Sequence, residues 1–323
     1  MKRLLRHSLC CIGLAATALV ASAASAQPSP DVVRIVVPFP AGNALDASAR
    51  MLAESLRRIT KRQYFVENKP GAGGLIGTAE VARAKPDGSV LLFTTGGHST
   101  NAVLYTKLPY DSLRDFTPIT LLTSAPGFVV LVRTDSPYKD LGQLIKDAHA
   151  RPGTVSYASW GTGNTTHLIG ELFARSAGIK VLHVPYKASP ISDILGGHVD
   201  YTFMASSLAV PLIQEGKARA LAISSEQRVK EMPAVPTLRE LGIKDVDIPA
   251  WSGLLAPAGL SLQAAAVLQR EVAAAAQRPE YQAFLKTSGG RLVLSTPVQF
   301  SSYLASEIQN YRKQLAPLGI RMD

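Results

Sequence analysis

The chain has 323 residues, and 34 Lys and Arg against 24 Asp and Glu give it a formal charge of +10. Its two cysteines are adjacent, Cys10 and Cys11. Both would leave with a cleaved leader, which excludes a disulfide scaffold, a thiol nucleophile and a Cys-ligated metal downstream. The basic balance is diffuse: its densest cluster, Arg57, Arg58, Lys61 and Arg62, reads as a solvated helix end, and nucleic acid is not an expected partner.

Residues 1–26 read as a signal peptide. Lys2, Arg3 and Arg6 form a positive start, 9–20 is a short apolar run, and Ala24-Ser25-Ala26 is an A-x-A cleavage site before Gln27. The run is short for a membrane span, and no later stretch is long and apolar enough to be one. Cleavage after Ala26 and export to a bacterial periplasm are expected. What remains, 323 less 26 residues, is long enough for two domains.

From there strand-like and helix-like runs alternate. The pattern predicts strands over 32–39, 63–68 and 90–95 with helices over 44–60 and 75–84. Further strands are predicted over 128–132, 155–159, 181–184, 201–204 and 219–224, with helices over 141–151, 166–177, 188–195 and 208–215. Three helices follow, over 262–277, 279–288 and 297–315. This is an α/β pattern with largely parallel strands. No Pro/Gly-rich linker separates two halves, so strands are expected to cross between domains, at 121–132 and 249–256. The expected layout is discontinuous: 27–127 plus 251–323 in domain 1, and 128–250 in domain 2.

Two stretches share one grammar, a β-rich run, a loop of small residues and then a helix. The first is Pro38-Phe39-Pro40-Ala41-Gly42-Asn43-Ala44-Leu45-Asp46, the second Ser159-Trp160-Gly161-Thr162-Gly163-Asn164-Thr165-Thr166-His167. Each places uncommitted N–H groups and a helix dipole where an anion is favoured, and neither loop holds Lys or Arg. In the first, Asn43 can cap, Asp46 suits the first turn, and Phe39 could be an apolar wall. A well-capped helix start and an anion site explain it equally well. In the second, Thr162, Thr165 and Thr166 offer hydroxyls, while His167 with Glu171 is an i, i+4 pair that more often stabilises a helix than binds metal.

Other motifs are weaker. Gly71, Gly73 and Gly77 miss the dinucleotide fingerprint because position 76 is Ile. The loop Thr95-Gly96-Gly97-His98-Ser99 ends a strand, where α/β ligands bind; Gly97 and Ser99 could contact one, and a plain loop is as reasonable. Tyr186 could close over a ligand. No H-E-x-x-H, G-x-S-x-G, P-loop or paired-His metal spacing occurs. No catalytic residue, metal or cofactor is therefore assigned.

Taken together, the segments resemble the Bug-type receptors, the solute-binding proteins of tripartite tricarboxylate transporters. The resemblance is carried by Val36-Val37-Pro38-Phe39-Pro40-Ala41-Gly42 with Asp46, Glu67-Asn68-Lys69-Pro70-Gly71-Ala72-Gly73-Gly74, Lys85-Pro86-Asp87-Gly88, Gly161-Thr162-Gly163 with His167-Leu168, and His183-Val184-Pro185-Tyr186-Lys187. It continues through Gly196-Gly197-His198-Val199-Asp200, Pro233-Ala234-Val235-Pro236-Thr237 and Ala256-Pro257-Ala258-Gly259. It implies a two-domain, type II-like Venus-flytrap fold with the ligand, a carboxylate, in the cleft between domains. Carried over residue by residue, it implies ligand contacts from Phe39, Ala41, Gly42 and Asp46, from Gly161, Thr162 and His167, and from Gly97, Ser99 and Tyr186; the Thr166 hydroxyl is a further candidate on its own chemistry. Asn43 stands where the family usually has a second Gly, and adds a side chain near the cleft. The function implied is capture of a small organic acid by a monomeric periplasmic receptor that serves a membrane permease. A sensor for a membrane kinase, and an exported enzyme using His98 or His167, are the alternatives.

Overall fold

The computed structural model describes residues 30–287 and 290–315; the expected leader lies outside them. One lobe begins with β1 (Val32–Val37), α1 (Ala44–Thr60), β2 (Gln63–Asn68), α2 (Leu75–Ala82), β3 (Val90–Thr95) and α3 (Gly97–Leu104). β4 (Phe116–Ala125) leads to the other lobe: β5 (Phe128–Arg133), α4 (Leu141–Ala150), β6 (Ser156–Ser159), α5 (Thr165–Ser176), β7 (Leu182–Pro185), α6 (Ile191–Gly196), β8 (Tyr201–Ala205), α7 (Ser206–Gln214) and β9 (Ala218–Ile223). β10 (Ala250–Pro257) returns to the first lobe, which ends with α8 (Leu262–Ala276), α9 (Pro279–Thr287), β11 (Arg291–Leu292) and α10 (Pro297–Leu315).

The first lobe is built on a six-stranded sheet, β11-β4-β10-β3-β1-β2, and the second on a five-stranded sheet, β7-β6-β8-β5-β9. The strands are mixed, not largely parallel as the alternation predicted. β1, β2 and β3 pair in parallel, as do β6, β7 and β8. Two of the strands that carry the chain between lobes, β10 and β5, run opposite to the parallel strands of their sheets, so β10 pairs antiparallel with β3 and β4, and β5 with β8 and β9; β11 closes the first sheet antiparallel to β4. The run at 121–132 is two strands, parted at Pro126-Gly127. Gly127 has φ +157, and a Cβ there would stand 2.7 Å from the Ser224 carbonyl oxygen.

Both sheets are covered on two faces, and the strands show it residue by residue. On β1, Val33, Ile35 and Val37 join the core beneath α1 and α8, while Val36 joins the opposite core with Trp251, Phe300 and Leu304. On β5, Val130 and Val132 face one core and Val129 and Leu131 the other. Alternate strand residues point to opposite faces, so both faces must be apolar in a sheet sandwiched by helices. α1 sends Leu45, Ala49, Leu52, Ala53 and Leu56 into its core at helical spacing. Lys61, left-handed at φ 62, closes it with an N–H bond to the Arg57 carbonyl.

Two first-lobe side chains, Leu104 of α3 and Tyr311 of α10, lie in the second lobe's main core. The lobes are therefore joined by packing as well as by crossing strands. α3 is absent from the pattern-based reading because its polar stretch Gly97–Asn101 has no apolar periodicity, yet it is buried throughout. Ser112 holds it in place: its carbonyl pairs with His98 Nε2 at 2.9 Å, and its hydroxyl donates to the His98 carbonyl at 3.1 Å. No helix among the described residues is long and apolar enough to cross a membrane.

Candidate functional site

A cavity of about 170 Å³ lies between the lobes. Four strand-to-helix junctions meet around it, those of β1–α1, β3–α3, β6–α5 and β8–α7. The N-cap of each helix, Asn43, Gly96, Asn164 and Ala205, is on the wall. This is the carboxyl edge of the strands, where α/β proteins bind ligands. The crossing strands supply the remaining polar wall: the Thr123 and Ser252 hydroxyls, paired across β4 and β10, are 2.6 Å apart. Among the described residues, no Lys, Arg, His, Asp or Glu lines the cavity.

The first junction is internally satisfied. Asn43 Oδ1 accepts the Asp46 N–H at 2.9 Å and Nδ2 donates to the Pro40 carbonyl at 2.7 Å. Asp46 is buried behind the loop, not on the cavity wall; its carboxylate accepts the Gly42 N–H at 2.9 Å, Asn68 Nδ2 at 3.1 Å and Arg50 Nε at 3.1 Å. Burial pushes the Asp46 carboxyl up, and the bonds from Arg50, Gly42 and Asn68 outweigh it, holding the group below its ordinary value. Phe39 and Leu45 line the cavity, whereas Ala41 and Gly42 are exposed at the loop's outer turn.

The second junction leaves polar groups unused. Asn164 Oδ1 accepts both the Thr166 N–H and the Thr166 hydroxyl at 3.0 Å. A backbone N–H can only donate, so Oδ1 is fixed as the acceptor and Nδ2 faces away from the helix. That Nδ2 stands 3.9 Å from where a Gly97 Cβ would be, beside the cavity. Thr165 Oγ1 is buried with no partner and points at Gly96, where a Cβ would stand 3.0 Å from it. The Thr166 hydroxyl also accepts the Trp160 N–H at 3.0 Å.

Other expected contacts lie elsewhere. Gly161 and Thr162 are on the seam between lobes: a Cβ on Gly73 would stand 2.5 Å from the Thr162 carbonyl oxygen, and a Cβ on Gly161 4.0 Å from the Gly73 nitrogen. Thr100 Oγ1 ties the same seam, donating to the Gly163 carbonyl at 2.9 Å. His167 is buried behind the loop, stacked on His183 with centroids 4.2 Å apart. The Tyr186 hydroxyl is engaged by Asp193 at 2.8 Å. Gly97 sits one residue behind the wall, with Phe39 3.7 Å from its missing Cβ. Ser99 is fully buried in α3.

The histidines do not suit the enzyme alternative. His98 is packed against Phe116 and Tyr110, and burial pushes it down to about 4 against the pull of the Ser112 carbonyl. Burial also lowers His167, with Glu171 opposing, and burial with the neighbouring His167 takes His183 down to about 4. Neither His98 nor His167 reaches the cavity wall.

Sequence reasoning named Phe39, Asn43 and Thr166 of this wall, noted the Thr165 hydroxyl, and missed Leu45, Asn164, Trp160, Leu208 and Trp251. Asn164 carried a signal, the N-cap position directly before Thr165 and Thr166. Trp251 did not: it arrives on β10 from far along the chain, with its indole N–H donating to buried Glu307 at 2.9 Å. Burial pushes that Glu307 carboxyl above its ordinary range.

Residues 48–318 match the family model described as tripartite tricarboxylate transporter family receptor. Protein BugT of Bordetella pertussis is 32% identical over 312 residues, covering 95% of this chain and 95% of its own. The periplasmic binding protein BugD superposes with a TM-score of 0.85 at 32% identity, covering 90% of this chain and 98% of its own. MatC from Rhodopseudomonas palustris, solved with bound malate, gives 0.83 at 30% identity, covering 87% and 98%. These relatives are two-domain periplasmic binding receptors, not enzymes, and the chain belongs with them to the tripartite tricarboxylate transporter receptor family.

Proposed function

We propose that this chain is exported after cleavage behind Ala26, captures a small carboxylate in the interlobe cavity, and presents the closed form to membrane permease subunits. The observation that carries the carboxylate is the convergence of four helix N-termini on a wall with no charged side chain. An anion at such an end gains about 0.3–1 kcal/mol at an exposed site and up to ~2 kcal/mol in a partly buried one. Held this way, the ligand meets N–H groups, hydroxyls and water instead of a counter-ion. Phe39, Leu45, Asn164 and Thr165 are the proposed contacts; Asn43 is on the wall with its side chain engaged by its own loop, and Asp46 and His167 shape the loops from behind. The binding of malate by MatC supports the ligand class. The proposed lobes are 27–127 with 251–323, and 128–250, closing about the crossings at Pro126 and Pro249. Such a receptor traps ligand by stabilising one of two lobe arrangements.

The test is a thermal-shift screen of the mature chain against a library of mono- and dicarboxylic acids, with uncharged amides and alcohols of matched size alongside. Acids alone should raise Tm, and calorimetry should give one site. Stabilisation by the amides and not by the acids would end the carboxylate reading.

A further inference from the structure

Resting on the receptor reading above, we infer that the preferred ligand is a single-ring monocarboxylic acid of the benzoate class, and not a dicarboxylate. The donors are unevenly placed. The starts of α1, α3 and α5 lie together, since Thr165 Oγ1 and Asn164 Nδ2 approach Gly96 and Gly97, and Phe39 packs on Gly97. One carboxylate is served there. The rest of the wall is mostly apolar in area, with hydroxyls at Thr123, Ser124, Ser207 and Ser252: Phe128 and Trp160 lie on one side, Leu208 on α7, and Phe284 and Leu285 on α9. α7 and α9 come from different lobes and touch, so this wall completes itself when the lobes meet.

Size agrees with shape. A cavity of about 170 Å³ is close to the ~150 Å³ apolar cavity that takes up one benzene ring. Aromatic side chains prefer ring partners edge-on or offset-stacked, and Phe39, Phe128, Trp160, Trp251 and Phe284 all border this volume. A second carboxylate would have the start of α7 alone, against the three helix starts gathered at the first site, and among these aromatic groups it would lose its water with no cation among the described lining residues to replace it.

Calorimetry on the mature chain with benzoate, adipate, malate and toluene separates the possibilities. Benzoate should bind at least tenfold tighter than adipate or malate, and toluene should bind far more weakly than benzoate. Adipate or malate binding as tightly as benzoate would overturn the ring inference, placing a second carboxylate at the start of α7, and leave the receptor reading standing. If none of the three acids binds and toluene does, both fall. A variant gives an independent reading, because Leu208 is only half-buried on α7 and its replacement does not empty a core. Leu208→Arg should weaken benzoate tenfold or more and strengthen adipate. Unchanged affinity for both would remove this wall from the ligand and overturn the inference.

Discussion

The two strand–loop–helix junctions that face each other across the cleft look alike in sequence and differ in what they leave available. At the first, both ends of the Asn43 side-chain amide are engaged within the loop, and Asp46, Arg50 and Asn68 brace it from behind. At the second, the cap Asn164 uses only its oxygen, and the Thr165 hydroxyl has no partner. A helix N-cap needs one acceptor. Whether the amide's other end is used up locally therefore decides whether a capping Asn is scaffold or also contact. On this comparison the first junction is a rigid wall that offers N–H groups, and the second supplies the side-chain donors.

The glycines test the comparison with the largest expected effect. Gly42 and Gly163 have similar backbones, φ +83 and +87, but nothing lies within 4 Å of a Cβ on Gly42, whereas one on Gly163 would stand 2.7 Å from Tyr105 and 2.8 Å from Asn101 of the other lobe. Alanine at either site meets the left-handed strain of about 1 kcal/mol. Gly163→Ala adds a clash that opposes closure, so affinity for the tightest acid from the screen should fall about thirty- to a hundredfold, roughly 2–3 kcal/mol. Gly42→Ala should lower Tm similarly and change affinity by less than about threefold. Equal losses of affinity in calorimetry would mean that the seam is not closed in the bound state.

The caps test the same contrast at smaller scale. Serine is as good an N-cap as asparagine but lacks the amide donor. Asn164→Ser should therefore weaken the acid by about tenfold, roughly the ~1.4 kcal/mol of one charge-assisted hydrogen bond. Asn43→Ser, which loses only the bond to the Pro40 carbonyl, should lower stability by about 1 kcal/mol or less and leave affinity within twofold of the parent, about 0.4 kcal/mol. The reverse ranking would make Asn43 the ligand contact and Asn164 the scaffold.

What the sequence disclosed follows the same division. Apolar periodicity placed β1, α1, β3 and α5 because their cores are local and alternate with solvent or with a second face. It did not place α3, whose polar residues are buried by Ser112, Tyr110, Phe116 and α10 of their own lobe and by the Gly163 loop of the other, or the start of β4 and β11, whose partners are far along the chain. At the site, glycines and caps located the loops, but loop position alone could not tell wall from support. Asp46 and His167 are close in sequence to the cavity and face away from it, because each carries a partner, Arg50 with Asn68 or His183 with Glu171, that the linear pattern does not reveal. Trp251 and Leu208 reach the cavity only through the tertiary fold.

The mildest expected effect concerns pH, and it bears on His167. Stability and affinity should respond differently. His98 and His183 lie near 4 in the folded chain, His167 is lowered as well, and the ordinary value is 6.5. Between about 6.5 and 4 the unfolded chain therefore binds more protons than the folded one, so stability falls as the pH drops through that window. The depressed carboxyl of Asp46 extends the loss further into acid, since its contribution is present above its unfolded value and disappears as the pH falls through its folded one. The cavity wall carries no titrating side chain among the described residues. Affinity for a fully ionised acid should then be constant between pH 8 and 6, within about twofold, while Tm begins to fall as the pH drops through about 6.5. An affinity that rises as the pH is lowered from 8 to 6 would require an imidazole to gain a proton beside the ligand. His167 is the one close enough in the second loop, and such a profile would return it from the support of that loop to its binding face.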